Sequence, residues 1–235
     1  MSLLTIDTNA KTVKGQKKGY ITGILYMAPW KIAGVGNLCP MAEVAKCHEA
    51  CLYSAGRGAF NSVQQARIGK AKRFYSERQA FMLELVKDID KLVRKADKLG
   101  MTPLVRLNGT SDVRWENIPV VIGTTTYANI MDVYPSVQFY DYTKLAGRTT
   151  PRNYDLTFSF SGVQAYAHQV DKAKAAGMRI AVVFRHRDQI PASYMGMTVV
   201  DGDDTDVRHI EPQGVVVALY AKGAAKRDTT GFVVG

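Results

Sequence analysis

Residues 98–112 read Lys98-Leu99-Gly100-Met101-Thr102-Pro103-Leu104-Val105-Arg106-Leu107-Asn108-Gly109-Thr110-Ser111-Asp112, and they hold one complete structural unit. Gly100 closes a helix, because the position after the last turn takes a left-handed conformation that glycine tolerates. Thr102 to Leu107 is short and apolar, as a buried strand requires. Asn108 to Asp112 is a polar loop at that strand's C-terminal end. A helix that feeds a buried strand ending in a polar loop is the repeating unit of a parallel α/β sheet.

The same rhythm extends in both directions. Upstream, Phe74, Phe81, Leu85, Ile89 and Leu92 return at helical intervals, which predicts a long helix over 62–99 with a solvated face of interleaved charges. Before it, Tyr20-Ile21-Thr22-Gly23-Ile24-Leu25-Tyr26-Met27 predicts the first strand, stopped by Pro29. Downstream, strands are expected at 137–142, 156–161, 179–184 and 215–220, with a helix over 163–176 closed by Gly177, and 120–123 is either a short strand or the start of a crossover through Asn129 to Val133. The expected fold is therefore α/β, a single-domain complete or partial (β/α) barrel with mostly parallel strands. A polar N-terminal segment, 1–18, precedes the barrel-like domain over 19–235.

Composition narrows the function classes. A chain of 235 residues that is 46% hydrophobic and 22% charged buries a full core without disulfides, which excludes a disordered chain or a small disulfide scaffold. The formal charge of +10 attracts polyanions, so nucleic acid or an acidic host protein is an expected class of partner for the basic surface. No secretory leader or membrane-length apolar run stands out, and the expected setting is cytoplasmic, away from membranes.

The three cysteines, Cys39, Cys47 and Cys51, are crowded in C-x7-C-x3-C spacing. An odd, crowded set is a poor disulfide framework and a good source of soft thiolate ligands. Cys47 and Cys51 would share one helical face in a short helix opening at Pro40. An uninterrupted helix would leave Cys39 about 12 Å below Cys47, so convergence needs a chain break between Pro40 and Cys47. Three thiolates can hold three irons of a [4Fe-4S] cube and leave the fourth open to a small-molecule ligand. The alternatives are a structural zinc site completed by His48, and free cysteines without a metal.

Cys39-Pro40, then Cys47-x3-Cys51-Leu52-Tyr53 with Gly56-Arg57, Asn108-Gly109-Thr110-Ser111-Asp112 and Asp201-Gly202-Asp203-Asp204-Thr205-Asp206, resemble the phage gene product 88 family over most of the chain. The resemblance implies a barrel-related iron-sulfur protein of bacteriophage genomes, in the host-cell cytoplasm, and leaves the reaction open. Radical S-adenosylmethionine enzymes are a more distant comparison, similar in placing three cysteines beside the first strand of a TIM barrel-like fold. That comparison implies S-adenosylmethionine as a second cofactor. The C-x3-C-x2-C spacing of those enzymes is absent here.

Polar residues at strand ends are the remaining candidates, since that end of a parallel sheet faces the site. Asn108, Thr110 and Asp112 are expected to position a ligand, with Gly109 allowing close backbone approach, and Arg57 to bring a cation to the mouth of the site. Asp141, Ser159, Ser161, Arg185 and Arg187 occupy equivalent positions, and Asp201 and Asp204 are candidate contacts in the acidic stretch. The expected function is a [4Fe-4S] protein with three cysteine ligands and an open iron, an enzyme of radical S-adenosylmethionine type on a small substrate. Its alternative is a noncatalytic redox or structural protein that docks nucleic acid or a host protein.

Overall fold

The computed structural model describes residues 2–6 and 10–235. It begins with β1 (Leu4–Ile6), α1 (Ala10–Gln16), β2 (Tyr20–Leu25), α2 (Asn61–Ser76), α3 (Arg78–Leu99) and β3 (Thr102–Arg106). A hairpin of β4 (Val120–Ile122) and β5 (Thr125–Tyr127) stands apart from the main sheet, followed by α4 (Ile130–Val133), β6 (Gln138–Thr143) and β7 (Tyr154–Ser159). The last third holds α5 (Ala167–Ala175), β8 (Ile180–Phe184), β9 (Ser193–Tyr194), β10 (Met197–Asp201) and β11 (Val216–Tyr220).

The result is one α/β domain around a nine-stranded sheet in the order β1-β2-β3-β6-β7-β8-β11-β10-β9. Strands β2 through β10 in that order run parallel, and the short β1 and β9 add antiparallel edges. The edge strands β1 and β9 are not paired with each other, so the sheet is open, the partial form of the expected barrel. No described helix is long and apolar enough to cross a membrane.

Side-chain alternation assigns the two faces of the sheet. Val105, Leu107 and Phe139 join the core made with Phe81, Leu85, Ile89 and Leu92 of α3. Phe158, Ile180, Val182 and Val216 pack with Tyr166 and with Val170 and Ala173 of α5. The alternate residues face inward, where Leu104 and Tyr140 meet Val207, and Tyr142 packs against the cluster of Ala181, Val215 and Val217. The sheet curls, so that Arg106 of β3 and Leu219 and Tyr220 of β11, from strands that are not neighbours, line one cavity.

The single helix expected over 62–99 is two helices, divided at Glu77 with φ −132° and ψ 47°. The bend lets Phe74 and Phe81 meet edge to face at 5.4 Å within one core. The N-terminal segment 1–18 is polar in composition, yet Leu3 and Leu4 are buried and Leu4–Ile6 pairs with β2. Residues 1 and 7–9 of that segment lie outside the described residues.

Candidate functional site

Residues 26–60 between β2 and α2 carry the cysteines and contain no α-helix. The short helix expected at Pro40 is a series of turns, in which Ala42 N donates to Cys39 O and Ala45 N to Met41 O. Lys46 is left-handed at φ 56°, so the chain changes direction immediately before Cys47. Cys47 and Cys51 therefore do not share a helical face, and the break needed to bring Cys39 back lies at Lys46. Trp30, also left-handed at φ 51°, opens the same segment and packs its ring 4.7 Å from that of His48.

Cys39, Cys47 and Cys51 all line one cavity of about 480 Å³ at the C-terminal ends of the inner strands. Cys39 is within electrostatic reach of both other thiols, and none of the three forms a disulfide. Burial pushes all three thiols above the usual cysteine range. Among the described residues, no three His, Cys, Asp or Glu side chains are close enough together to hold a single metal ion. His48 is committed elsewhere, with Nδ1 2.9 Å from Ala42 O and its ring against Trp30.

The loop after β3 forms the adjoining wall. Asp112 N donates to Leu38 O at 2.8 Å, and Cys39 Sγ lies 3.8 Å from Thr110 O, so this loop and the cysteine segment are tied together. Asn108, expected to hold a ligand, uses its side chain to brace the loop itself. Its Oδ1 accepts from Ser111 Oγ, Val113 N and Trp115 Nε1, and its Nδ2 donates to Val113 O. Thr110 Oγ1 donates to Met27 O at 2.6 Å. Asp112 is buried, and burial raises its carboxyl above the ordinary value although Arg148 and the Lys144 amide oppose the rise. Gly109 is the close approach: a Cβ there would stand 2.6 Å from Tyr26 and 2.8 Å from Leu25 O. Arg57 is exposed and is not among the residues that line the cavity.

Lys144 follows the end of β6 and lines the cavity beside these groups. Its Nζ donates to the carbonyls of Ser159 (2.9 Å) and Phe160 (2.7 Å) and sits 4.6 Å from the centre of the Phe232 ring. Burial lowers its pKa to about 8, a shift that the nearby Cys47 and Asp112 oppose, so the ammonium stays charged at neutral pH. Sequence reasoning passed over this lysine. Its signal is a strand-end position, one residue beyond a run ending Tyr142-Thr143.

The inner wall is closed by residues 202–210, which run inward from β10. In the acidic stretch, Asp201 and Asp204 are exposed, whereas Asp203 and Asp206 face the cavity. The choice of Asp201 and Asp204 as contacts is thereby corrected: the chain turns inward at Gly202, which leaves that pair on the solvent side. Asp206 takes Arg106 Nη1 at 2.6 Å, and Asp203 takes Lys222 Nζ at 2.7 Å and Tyr220 N at 3.1 Å. Ser159 also lines the cavity, whereas Ser161 Oγ donates to Ala45 O and thereby holds the cysteine segment. Asp141 lies behind the wall, accepting from Leu107 N, Asn108 N and Tyr154 Oη. Arg185 binds the C-terminal segment, donating to the carbonyls of Lys226, Asp228 and Gly235. Arg187 is exposed beside Asp201.

The arrangement is a mostly apolar pocket with three thiols and several charged side chains on its wall. It can enclose a small molecule or a soft metal centre, because soft metals select thiolates and displace their protons. No curated protein and no solved structure matches the chain. A family model described as Gene product 88 matches residues 2–235. Spanning nearly the whole sequence, that match establishes that the chain belongs to the gene product 88 family, which is associated with bacteriophages.

Proposed function

We propose that this protein binds a [4Fe-4S] cluster through Cys39, Cys47 and Cys51, with the fourth iron facing the cavity and open to a small ligand. The observation that carries the reading is the convergence of all three thiols on one cavity, from positions twelve residues apart at the extremes, around a left-handed turn at Lys46. Thiolates that share one zinc stand roughly 4 Å apart at a Zn–S distance of about 2.3 Å. Three thiols that line one cavity can instead each bind a different iron of a cluster.

The cluster would supply reducing or Lewis-acid chemistry at its open iron. The chain's own groups do the rest. Asn108 braces the loop that presents Thr110 and Asp112, and Lys144 brings a cation to the thiols. Leu219 and Phe232 give the wall apolar surface against which a small molecule can pack. Cavity space beyond the cysteines leaves room for a small substrate, which favours an enzyme over a noncatalytic docking protein. The radical S-adenosylmethionine subclass is a narrower form of the same reading.

Anaerobic reconstitution tests it. The expected result is about four irons and four acid-labile sulfides per chain, lost on replacing any one of the cysteines by serine. Stoichiometric zinc without labile sulfide rejects the cluster. A change in the reduced cluster's paramagnetic spectrum on adding S-adenosylmethionine supports the narrower subclass, and no change at saturation rejects that subclass alone.

A further inference from the structure

The charges around the cavity are unevenly balanced. Arg106 is paired with Asp206, Lys222 with Asp203, and Arg148 with both Asp112 and Glu116. Lys144 is the exception: its ammonium is bonded to two neutral carbonyls and to no carboxylate among the described residues. Arg67, the other cation near the thiols, acts on Cys51 but lies outside the lining, held between the Tyr26 and Tyr53 rings with Nη1 on Tyr53 O. Asp112 acts on it from a distance, but a buried ammonium with no carboxylate bonded to it is costly, and an anion brought into the cavity would offset that cost. Cys47 lines the same cavity as Lys144, and the two groups are within electrostatic reach of each other.

We infer that Lys144 is the built-in counter-charge of an anionic thiolate centre in this cavity, and that its charge holds the reduction potential of that centre up. This rests on the cluster reading above. Reduction adds one negative charge, and a fixed cation beside Cys47 in a low-dielectric pocket favours the more negative state. Lys144 is thus a positioning and tuning residue, which acts through the cluster and touches no reacting atom.

The test is a redox titration of reconstituted protein, followed by paramagnetic resonance, with iron and sulfide measured for each variant. Lys144→Gln removes the charge and keeps an N–H donor for the two carbonyls. Lys144→Arg keeps the charge. Phe232→Glu leaves Lys144 in place and sets a carboxylate where the ring now lies against it. Loaded Lys144→Gln and Phe232→Glu are expected to favour the oxidised form about tenfold, a shift of about 59 mV to more negative potential for one electron. Lys144→Arg is expected to stay near the wild-type value.

Full loading with an unchanged potential in Lys144→Gln overturns the role of Lys144 and leaves the cluster intact. If circular dichroism shows that Lys144→Gln does not fold, Lys144→Met, which removes the charge and keeps the length of the side chain, decides by the same criterion. Failure of the wild-type protein to take up iron and sulfide overturns the cluster reading itself, and the role of Lys144 falls with it.

Discussion

Arg106 Nη1 lies 2.6 Å from Asp206 Oδ2, although β3 and β10 are separated by four strands in the sheet order. The pair crosses the inner face of the curled sheet and joins its first half to its last. Arg106 also stacks on the Tyr142 ring at 4.8 Å, so three segments meet at one buried charge pair. An open sheet has no ladder to hold its ends at a fixed distance, and this cross-link supplies part of what closure would.

Removing one member strands the other. Arg106→Met or Asp206→Leu alone is expected to cost about 3–5 kcal/mol, and the double replacement less than the sum, since the apolar pair leaves neither partner stranded without the other. Urea unfolding of the four proteins measures this. Additive losses would mean that the two side chains do not act as a unit.

Gly109→Ala tests the loop above the same strand. The added methyl meets the Leu25 carbonyl, which is backbone and cannot rotate away. Overpacking of this kind costs about 1–3 kcal/mol. The displacement is expected to loosen the contact between Thr110 O and Cys39, so alkylation of Cys39 in the metal-free protein should quicken. Unchanged melting and unchanged thiol reactivity would show that the loop absorbs the methyl freely.

How much of this was readable in advance differs by element. The inner strands were legible because a strand buried on both faces leaves a continuous apolar run, as in Ile180-Ala181-Val182-Val183-Phe184. The edge strands β1 and β9, and β10 beside the latter, were not, being short and half-exposed. The cysteines were legible from chemistry and spacing. Their local backbone was not, since Lys46 takes a left-handed conformation that favours glycine or asparagine and nothing in its neighbours announces it. In the acidic stretch, composition marked the right loop, but a turn at Gly202 decides which carboxylates face inward. Asn108 was recognised as special for its type and place; its task, holding Ser111, Val113 and Trp115, depends on contacts that only the folded loop creates.

Asp141 predicts a pH dependence. Burial raises its carboxyl to about 7 in the folded protein, against the pull of Arg106 and of the Asn108 and Tyr154 donors. The folded state therefore binds a proton that the unfolded state has released. Its contribution to stability is fully present below the unfolded carboxylate pKa and is lost as pH rises through about 7. Asp141→Asn should remove that slope. Urea midpoints at pH 5 and pH 8 compare the two proteins, and an identical change with pH in both would exclude Asp141 as the source.

Asp88 predicts the opposite sign. Burial alone would raise its carboxyl, but hydrogen bonds from Ser2, Lys91 and the Leu3 and Leu4 amides outweigh burial and hold it below the ordinary value. Because the folded pKa is depressed, this stabilisation is present above the unfolded carboxylate pKa and disappears as pH falls through the folded one. The group fixes the start of β1 to the buried face of α3, so its effect should be local before it is global. Asp88→Asn is expected to speed amide hydrogen exchange at Leu3 and Leu4 at neutral pH, and to weaken the loss of stability in acid that the wild-type protein shows. Protection of those two amides that survives the replacement would mean that the strand is held by its pairing with β2 alone.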